Sequence, residues 1–233
     1  MTRTPLAAVF VPGLAGHAAE FDTLARGWSH GPALCLDPFY DEPTIPGQAA
    51  RVAEAAGRAG FSRYLVAGHS QGGLVALELA RARPDVVAAV AIVDAPLLVP
   101  APVRAALTVF VALLRTPIGP ALLRAFFRAT FAAADGSGHR ADVMARLAAV
   151  PPAQARRFVR AAFGYPGRRA LGELTVPCAY VRANIPVPLD RLPAGVRGCD
   201  LSGVGHWVHL HRPRQLMAVL HELADETQLH VPE

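Results

Sequence analysis

The stretch Tyr64-Leu65-Val66-Ala67-Gly68-His69-Ser70-Gln71-Gly72-Gly73 constrains this chain more than any other part of it. An apolar, strand-like run enters Gly-x-Ser-x-Gly and leaves directly into the helix-like Leu74-Val75-Ala76-Leu77-Glu78-Leu79-Ala80. A strand that becomes a helix within so few residues passes through a tight, strained turn with the serine at its apex. Gly68 and Gly72 stand where a side chain would meet neighbouring chain. The serine hydroxyl is left exposed at the carboxyl edge of a sheet. It also lies near the positive end of a helix, where negative charge is stabilised.

The rest of the chain alternates in the same way, short apolar runs with helical patterns, which predicts a parallel sheet covered by helices. Strands are expected at Ala7–Val11, Ala33–Asp37, Tyr64–Ala67, Val86–Val93, Cys178–Val181 and Gly198–Leu201. The helix after the serine turn should run from Gly72 to Arg83, ahead of Pro84-Asp85. A terminal helix from Pro213 places Leu216, Val219, Leu220 and Leu223 on one face, the spacing of a core-facing stripe. Proline suits a first helical turn because its missing N–H would be unpaired there.

Residues 97–170 break the alternation. Helical stretches at Val103–Leu114, Pro120–Ala134, Arg140–Ala149 and Pro152–Phe163 follow one another with no strand between them. Prolines 100, 102, 117, 151 and 152 and the loop Asp135-Gly136-Ser137-Gly138-His139 punctuate them. We expect a core of residues 1–96 and 171–233 with a helical cap inserted at 97–170. The cap carries more apolar side chains (Phe110, Leu113, Leu114, Phe126, Phe127, Phe131) than a helical hairpin needs. Some should cover the sheet or line a pocket.

Composition excludes several classes. With 52% hydrophobic and 18% charged residues in 233, the chain can bury a large single core and is not disordered. The formal net charge of +5 attracts anions mildly, but Arg51, Arg81, Arg115, Arg156 and Arg182 are scattered. No basic stripe with interleaved aromatics points to nucleic acid. Cys35, Cys178 and Cys199 show neither paired nor metal-type spacing, which reads as reduced thiols in the cytoplasm. The apolar run near the amino terminus breaks at Pro12-Gly13 and reads as a buried strand. Ala105 to Leu114 is too short to span a bilayer, so no membrane insertion is expected. Neither metal-ligand spacing nor a Gly-rich phosphate loop implies a cofactor.

A serine needs a base to take its proton and a third group to orient that base. The segment Gly203-Val204-Gly205-His206-Trp207-Val208-His209-Leu210-His211 is a short loop between the last strand and the terminal helix, where a base can lean over the sheet edge. His206, directly after a glycine, is the candidate. His209 and His211, nearer the helix, read as supporting or surface residues. His69 should point away from the serine.

These two segments, with Val9-Phe10-Val11-Pro12-Gly13-Leu14, resemble the α/β-hydrolase family over nearly the whole chain outside the cap. The resemblance implies Ser70 as nucleophile and His206 as base. It also implies an oxyanion hole made by the backbone N–H groups of Gln71 and Leu14. Pro12-Gly13 stands where the family has His-Gly, a change of side chain that leaves the Leu14 N–H in place. The chain opens almost on this strand, so the resemblance implies a sheet trimmed of the first two family strands, with the six strands above.

In most of the family the acid follows the penultimate core strand in a Gly-x-x-Asp pattern. Here that stretch is Tyr180-Val181-Arg182-Ala183-Asn184-Ile185, with Asp190 only several residues later. The competitor is Asp94, at the end of the strand after the serine helix, where a minority of the family carries its acid. Such a carboxylate, at the edge where open parallel sheets form sites, needs a partner such as the His206 Nδ1–H. Asp94 is the first candidate and Asp190 the alternative; Asp94 capping the turn at Ala95-Pro96 is the structural reading. Asp37 and Asp41 read as loop acids.

Serine in place of aspartate argues against halide displacement and epoxide opening. The implied reaction is hydrolysis of a small or medium apolar ester, lactone or thioester, the apolar group suggested by the cap. Arg124, Arg128, Arg157 and Arg160 read as solvated helix faces. The alternatives are non-ester chemistry on the same triad (carbon–carbon cleavage or a lyase reaction) and a non-catalytic ligand-binding member of the fold.

Overall fold

The computed structural model describes residues 5–229, so the ends of the expected core, residues 1–4 and 230–233, lie outside it. The elements follow in chain order: β1 Ala7–Val11, α1 Asp22–Gly27, β2 Ala33–Cys35, α2 Ile45–Arg58, β3 Tyr64–His69, α3 Gln71–Ala82 and β4 Val87–Val93. Five helices come next, α4 Ala101–Leu113, α5 Gly119–Ala129, α6 Ser137–Ala149, α7 Pro152–Gly164 and α8 Gly167–Gly172. The chain then returns through β5 Cys178–Arg182, β6 Val196–Asp200, α9 Val208–His211 and α10 Pro213–Leu229.

The six strands form one sheet in the order β2-β1-β3-β4-β5-β6, every neighbouring pair parallel. All six expected strands are present, with ends differing by a few residues. β2 stops at Cys35, short of Asp37, and β6 starts at Val196. Expected α5 stops at Ala129, where Thr130 Oγ1 donates to the carbonyl of Phe127 and diverts the last turn. Helix α2 has no counterpart among the expected elements. In its first turn Gly47 is a poor helix former, but Pro46 suits that position and Thr44 Oγ1 accepts from Gly47 N–H at 3.1 Å and caps the helix.

Alternate residues of each central strand serve opposite faces, as the period of two requires. Val9, Val11, Val66, Val90 and Ile92 pack with α2 and α3, through Val52, Leu74, Val75 and Leu79. Ala8, Phe10, Leu65, Ala67 and Ala91 pack with α1 and α10, through Leu24, Leu216, Leu220 and Leu223. The terminal stripe expected from the sequence is this second layer. Burying each leucine is worth ~2 kcal/mol, which is what holds the helices to the sheet.

A third cluster joins the five-helix insertion to the sheet edge. Leu123, Phe127, Val143, Leu147, Phe158 and Val159 close around Leu14, Ala15 and Trp207. Phe131 stacks on Trp207 with ring centroids 4.5 Å apart. The apolar surplus seen in the sequence is thus spent on the carboxyl edge of the sheet rather than on the insertion alone.

Close backbone approach at the serine turn demands glycine. A Cβ on Gly68 would strike the carbonyl of Gly72, and one on Gly72 would strike the carbonyl of Val11. In each case the obstructing atoms are backbone and cannot swing aside. We expect Gly72→Ala to lower stability by roughly 3 kcal/mol, at the upper end of overpacking penalties, read as a fall in the urea midpoint at unchanged slope. A midpoint within error of wild type would show that the turn tolerates a separation of β1 from α3.

Candidate active site

Ser70 is the N-cap residue of α3 and has φ 55°, ψ −121°, outside the regions open to most residues. The sheet holds it there. Its N–H continues the parallel ladder by donating to Val93 O at 2.8 Å, and its own carbonyl accepts from Gly73 N–H at 3.0 Å. Asp94 repeats the arrangement one strand over, with φ 46° and its N–H donating to Val181 O at 2.7 Å. Strained residues of this kind cost of order 1–3 kcal/mol each and persist only where the surroundings over-determine them. Because His69 pairs with Val93 in the ladder, Ser70 and Asp94 emerge from neighbouring strands at the same edge.

The Asp94 carboxylate is fully buried. Oδ1 accepts from the N–H groups of Ala183 (2.8 Å), Asn184 (3.0 Å) and Ile185 (3.0 Å), and Oδ2 lies 2.6 Å from His206 Nδ1. Burial by itself raises its pKa. The hydrogen bond and charge of His206, with the Ala183 and Ile185 N–H groups, outweigh that and hold it below the usual aspartate value. An ionised Asp94 requires the proton on His206 Nδ1, which leaves Nε2 as an acceptor. Asp94 therefore caps the turn after β5 rather than the one at Ala95-Pro96. The loop in which an acid was expected supplies N–H donors to an acid from the next strand.

Asp190 lies exposed in the 3-10 turn Leu189–Arg191, and no hydrogen bond or ion pair joins it to His206 among the described residues. Asp37 accepts from Ala18 N–H, and Asp41 pairs with Arg51 at 2.9 Å on the surface. Neither approaches the serine turn.

His206 sits in the loop before α9 and is nearly buried. Its backbone N–H donates to Thr130 O (2.9 Å), and the preceding Gly205 N–H donates to Asp135 Oδ1 (3.2 Å). Both acceptors come from the helical insertion. From the other side, His69 Nε2 lies 2.9 Å from His206 O. Burial, then the neighbouring charges of His206 and His209, hold His69 well below the usual imidazole range. A neutral ring facing a carbonyl must donate, so Nε2 carries the proton. His69 thus steadies the loop of His206, their rings packing with centroids 4.4 Å apart. Of the two readings open for His209, supporting or surface, the second does not hold, and its ring packs 4.4 Å from that of His69. It is buried, stacks on Phe21 with centroids 4.7 Å apart, and is kept neutral chiefly by burial.

Ser70, His206, Leu14 and Gln71 line one cavity of about 290 Å³. Val103, Leu107, Phe126, Phe127, Val159 and Phe163 from the insertion form its roof, and Ile185, Pro186 and Val187 one wall. Among the described residues no hydrogen bond joins Ser70 Oγ to His206; catalytic contacts often tighten only once a substrate is seated. Gly13 packs so tightly on the serine that a Cβ there would sit 2.9 Å from Ser70 Cβ. That contact brings the following residue, Leu14, over the amino end of α3. Gln71, the residue after the serine, is buried. Arg124, Arg128, Arg157 and Arg160 are exposed and do not line this cavity.

Cys35, Cys178 and Cys199 are free, and burial pushes the Cys178 thiol up to about 12. Among the described residues no group of three or more His, Cys, Asp or Glu side chains could hold a metal ion. No helix among them is long and apolar enough to cross a membrane.

With this geometry in hand, likeness to known proteins becomes informative. The sequence model of a family described as "Alpha/beta hydrolase family" matches residues 8–219. No curated protein matches the chain significantly. Among solved structures, the enol-lactonase from Burkholderia xenovorans LB400 superposes with TM-score 0.79 at 17% identity, covering 95% of this chain and 92% of that one. A thermophilic esterase from Thermogutta terrifontis gives TM-score 0.72 at 15% identity, covering 97% and 92%. Proline iminopeptidase from Mycobacterium smegmatis gives 0.70 at 17%, covering 96% and 90%. At such identities these likenesses concern the fold.

The burial of Asp94 sets a pH signature. Its folded pKa is depressed, so its stabilisation is present above the unfolded value and lost as pH falls through the folded one. We expect Asp94→Asn to cost about 1–3 kcal/mol at neutral pH, since the amide replaces an ionised acceptor. The gap between wild type and variant should stay constant above about pH 5 and close below about pH 4. Urea unfolding across pH 3–8 reads this directly, and a gap independent of pH would mean that Asp94 is not ionised in the folded state.

Proposed function

The chain belongs to the α/β-hydrolase family, and within it we propose a serine hydrolase that cleaves small or medium apolar carboxylic esters, lactones or thioesters through an acyl-enzyme. The observation that carries this reading is one apolar cavity shared by Ser70 and His206, with the His206 ring held at 2.6 Å by buried Asp94.

In this reading Ser70 Oγ attacks the acyl carbonyl while His206 Nε2 takes its proton. Asp94 keeps the imidazole in the tautomer that frees Nε2 and stabilises the imidazolium that forms. The carbonyl oxygen, now an oxyanion, accepts from the N–H groups of Leu14 and Gln71, each worth about 3–4 kcal/mol in the transition state. The positive end of α3 adds to this. Imidazolium then protonates the leaving group, which departs as an alcohol or thiol. Water, deprotonated by the same Nε2, attacks the acyl-enzyme, and collapse returns the carboxylic acid and free Ser70.

The substrate class follows from the walls. Apart from Ser70, Thr130, Gln71, Asn184 and His206, the residues around the cavity are apolar, and no carboxylate, Arg or Lys lines it. A charged acyl chain would lose its hydration there without a counter-ion. An apolar one gains ~0.8 kcal/mol for each methylene it buries. The insertion roofs the cavity and so acts as a cap; residues 97–170 are assigned this role, with residues 1–96 and 171–233 as the core. A soluble small molecule, rather than nucleic acid or a membrane span, is the partner this site fits.

Two measurements check the assignment. A fluorophosphonate should label the wild type and not Ser70→Ala; a folded wild type left unlabelled would remove the activated serine. Turnover of Asp94→Asn should drop about 10³–10⁴-fold, the scale of losing the orienting acid, with Asp190→Asn near wild type. The reverse ranking would transfer the acid to Asp190.

Chain length tests the pocket. Across 4-nitrophenyl esters, kcat/KM should rise about fourfold per added methylene until the cavity is full, then flatten. A profile that falls from acetate onward would exclude the apolar acyl site.

A further inference from the structure

The turn that carries Leu14 is held by two side chains that the serine, histidine and acid do not involve. Gly16 N–H donates to Gly13 O at 3.1 Å, closing residues 13–16 into a tight turn. Within it Ala15 is fully buried and has φ 63°, a left-handed conformation that a Cβ disfavours. Something must keep it there. Its N–H donates to Tyr40 Oη at 3.0 Å, and its carbonyl accepts from Arg146 Nε at 2.8 Å. Both peptide groups flanking Ala15 are therefore fixed by side chains, and the first of them is the peptide that begins at Leu14.

Both holders are tied to the cap. Arg146 lies on α6, more than a hundred residues along the chain from the turn it holds. Its Nη2 pairs with the carboxylate of Glu20, which is buried beside the turn. One guanidinium thus spans the Ala15 carbonyl and a buried anion, a fork that lysine cannot reproduce. Tyr40 packs its ring against Phe158 of α7, with centroids 4.9 Å apart. Leu14 and Ala15 themselves pack with Leu147 and Phe158 in the cluster under the cap.

We propose that Arg146 and Tyr40 are positioning residues for the oxyanion hole, through which the seated cap holds the Leu14 N–H in its donating orientation. This rests on the serine-hydrolase reading above. The cap does more than roof the acyl site: the hole is complete only when α6 and α7 are docked. A peptide free to rotate at Ala15 relaxes toward the conformation that a Cβ prefers, and the neighbouring Leu14 N–H turns with it. Substrate binding in the apolar cavity is unaffected, because neither side chain lines that cavity. The loss falls on the transition state.

The test uses 4-nitrophenyl hexanoate as substrate, the matching pentyl trifluoromethyl ketone as a tetrahedral oxyanion mimic, and 1-hexanol as a neutral ligand of the apolar cavity. Arg146→Ala and Tyr40→Phe should each lower kcat by about ten- to a hundredfold, the scale of a small misplacement of a catalytic group, with KM little changed. Affinity for the trifluoromethyl ketone should fall by the same factor as kcat, while affinity for 1-hexanol stays at the wild-type value. A merely structural role would not produce that split. Arg146→Ala leaves Glu20 buried without its cation, so Glu20→Gln/Arg146→Met removes the orphaned charge and carries the test if the single variant does not fold. Tyr40→Phe removes only the hydroxyl and leaves the Glu20–Arg146 pair in place.

Folded variants with wild-type kcat overturn the inference, as does a loss expressed in KM alone or an equal loss of 1-hexanol affinity. A wild type that neither hydrolyses the ester nor takes up a fluorophosphonate overturns the hydrolase reading and this inference with it. A wild type that does both, beside fully active Arg146 and Tyr40 variants, overturns this inference alone.

Discussion

Asp94 is a fully buried carboxylate whose acceptor capacity is met by two segments remote in sequence, and the rest of the site is arranged around that requirement. A charge taken out of water is tolerated only where hydrogen bonds replace its hydration. Three N–H groups after β5 and the ring of His206 do so here. Meeting them forces the ends of β4 and β5 and the loop before α9 into one corner of the sheet. The parallel ladder supplies the remaining coordinate, because it places Ser70 and Asp94 at the ends of adjacent strands. Two residues in left-handed backbone are the cost, and the sheet can bear it because both N–H groups stay in register with the next strand.

The five-helix insertion completes this corner. Thr130 and Asp135 hold the backbone of the His206 loop, Arg146 holds the Ala15 carbonyl, and Phe126, Phe127 and Phe163 close the cavity. In the proposed reading these are three distinct jobs: steadying the base, steadying the turn of Leu14, and excluding water. Polar contacts made at such a boundary are worth more than on the surface, since the aromatic and aliphatic side chains around them keep the local dielectric low. Specificity and catalysis in this reading share one piece of structure.

Most of the fold was legible in the sequence, and for a definite reason. Continuous apolar runs such as Tyr64–Ala67, buried on both faces, and the α10 stripe are local statements about burial, and burial dominates the energetics. Helix α2 was less legible: Thr44 and Pro46 suit a helix start, but Gly47 opposes it, and its buried face is mostly small or polar (Gln48, Ala49 and Ala56 beside Ile45 and Val52), so no strong apolar stripe marks it. Whether His209 was a supporting or a surface residue was left open for a similar reason. Its neighbours in sequence suggest a surface turn, while Phe21, far away in the chain, buries it. Arg146, Tyr40, Thr130 and Asp135 gave no signal at all, since an arginine on an amphipathic helix looks the same whether it meets solvent or a carbonyl from residue 15.

From its sequence alone, the chain determined a parallel α/β sheet, a serine on a strained strand-to-helix turn, and a histidine loop before the last helix. Each rests on residues adjacent in the chain: glycines where backbone must touch backbone, and apolar spacing that matches one period or another. Which acid faces the histidine was decided only in three dimensions. Asp94 and Asp190 were both open until the N–H groups of residues 183–185 were seen to converge on Asp94, leaving Asp190 in solvent. The contact of Arg146 with the Ala15 carbonyl was likewise decided there. Both depend on side chains that meet across about ninety residues or more, and hydrogen bonds of that range leave no periodic trace in a sequence.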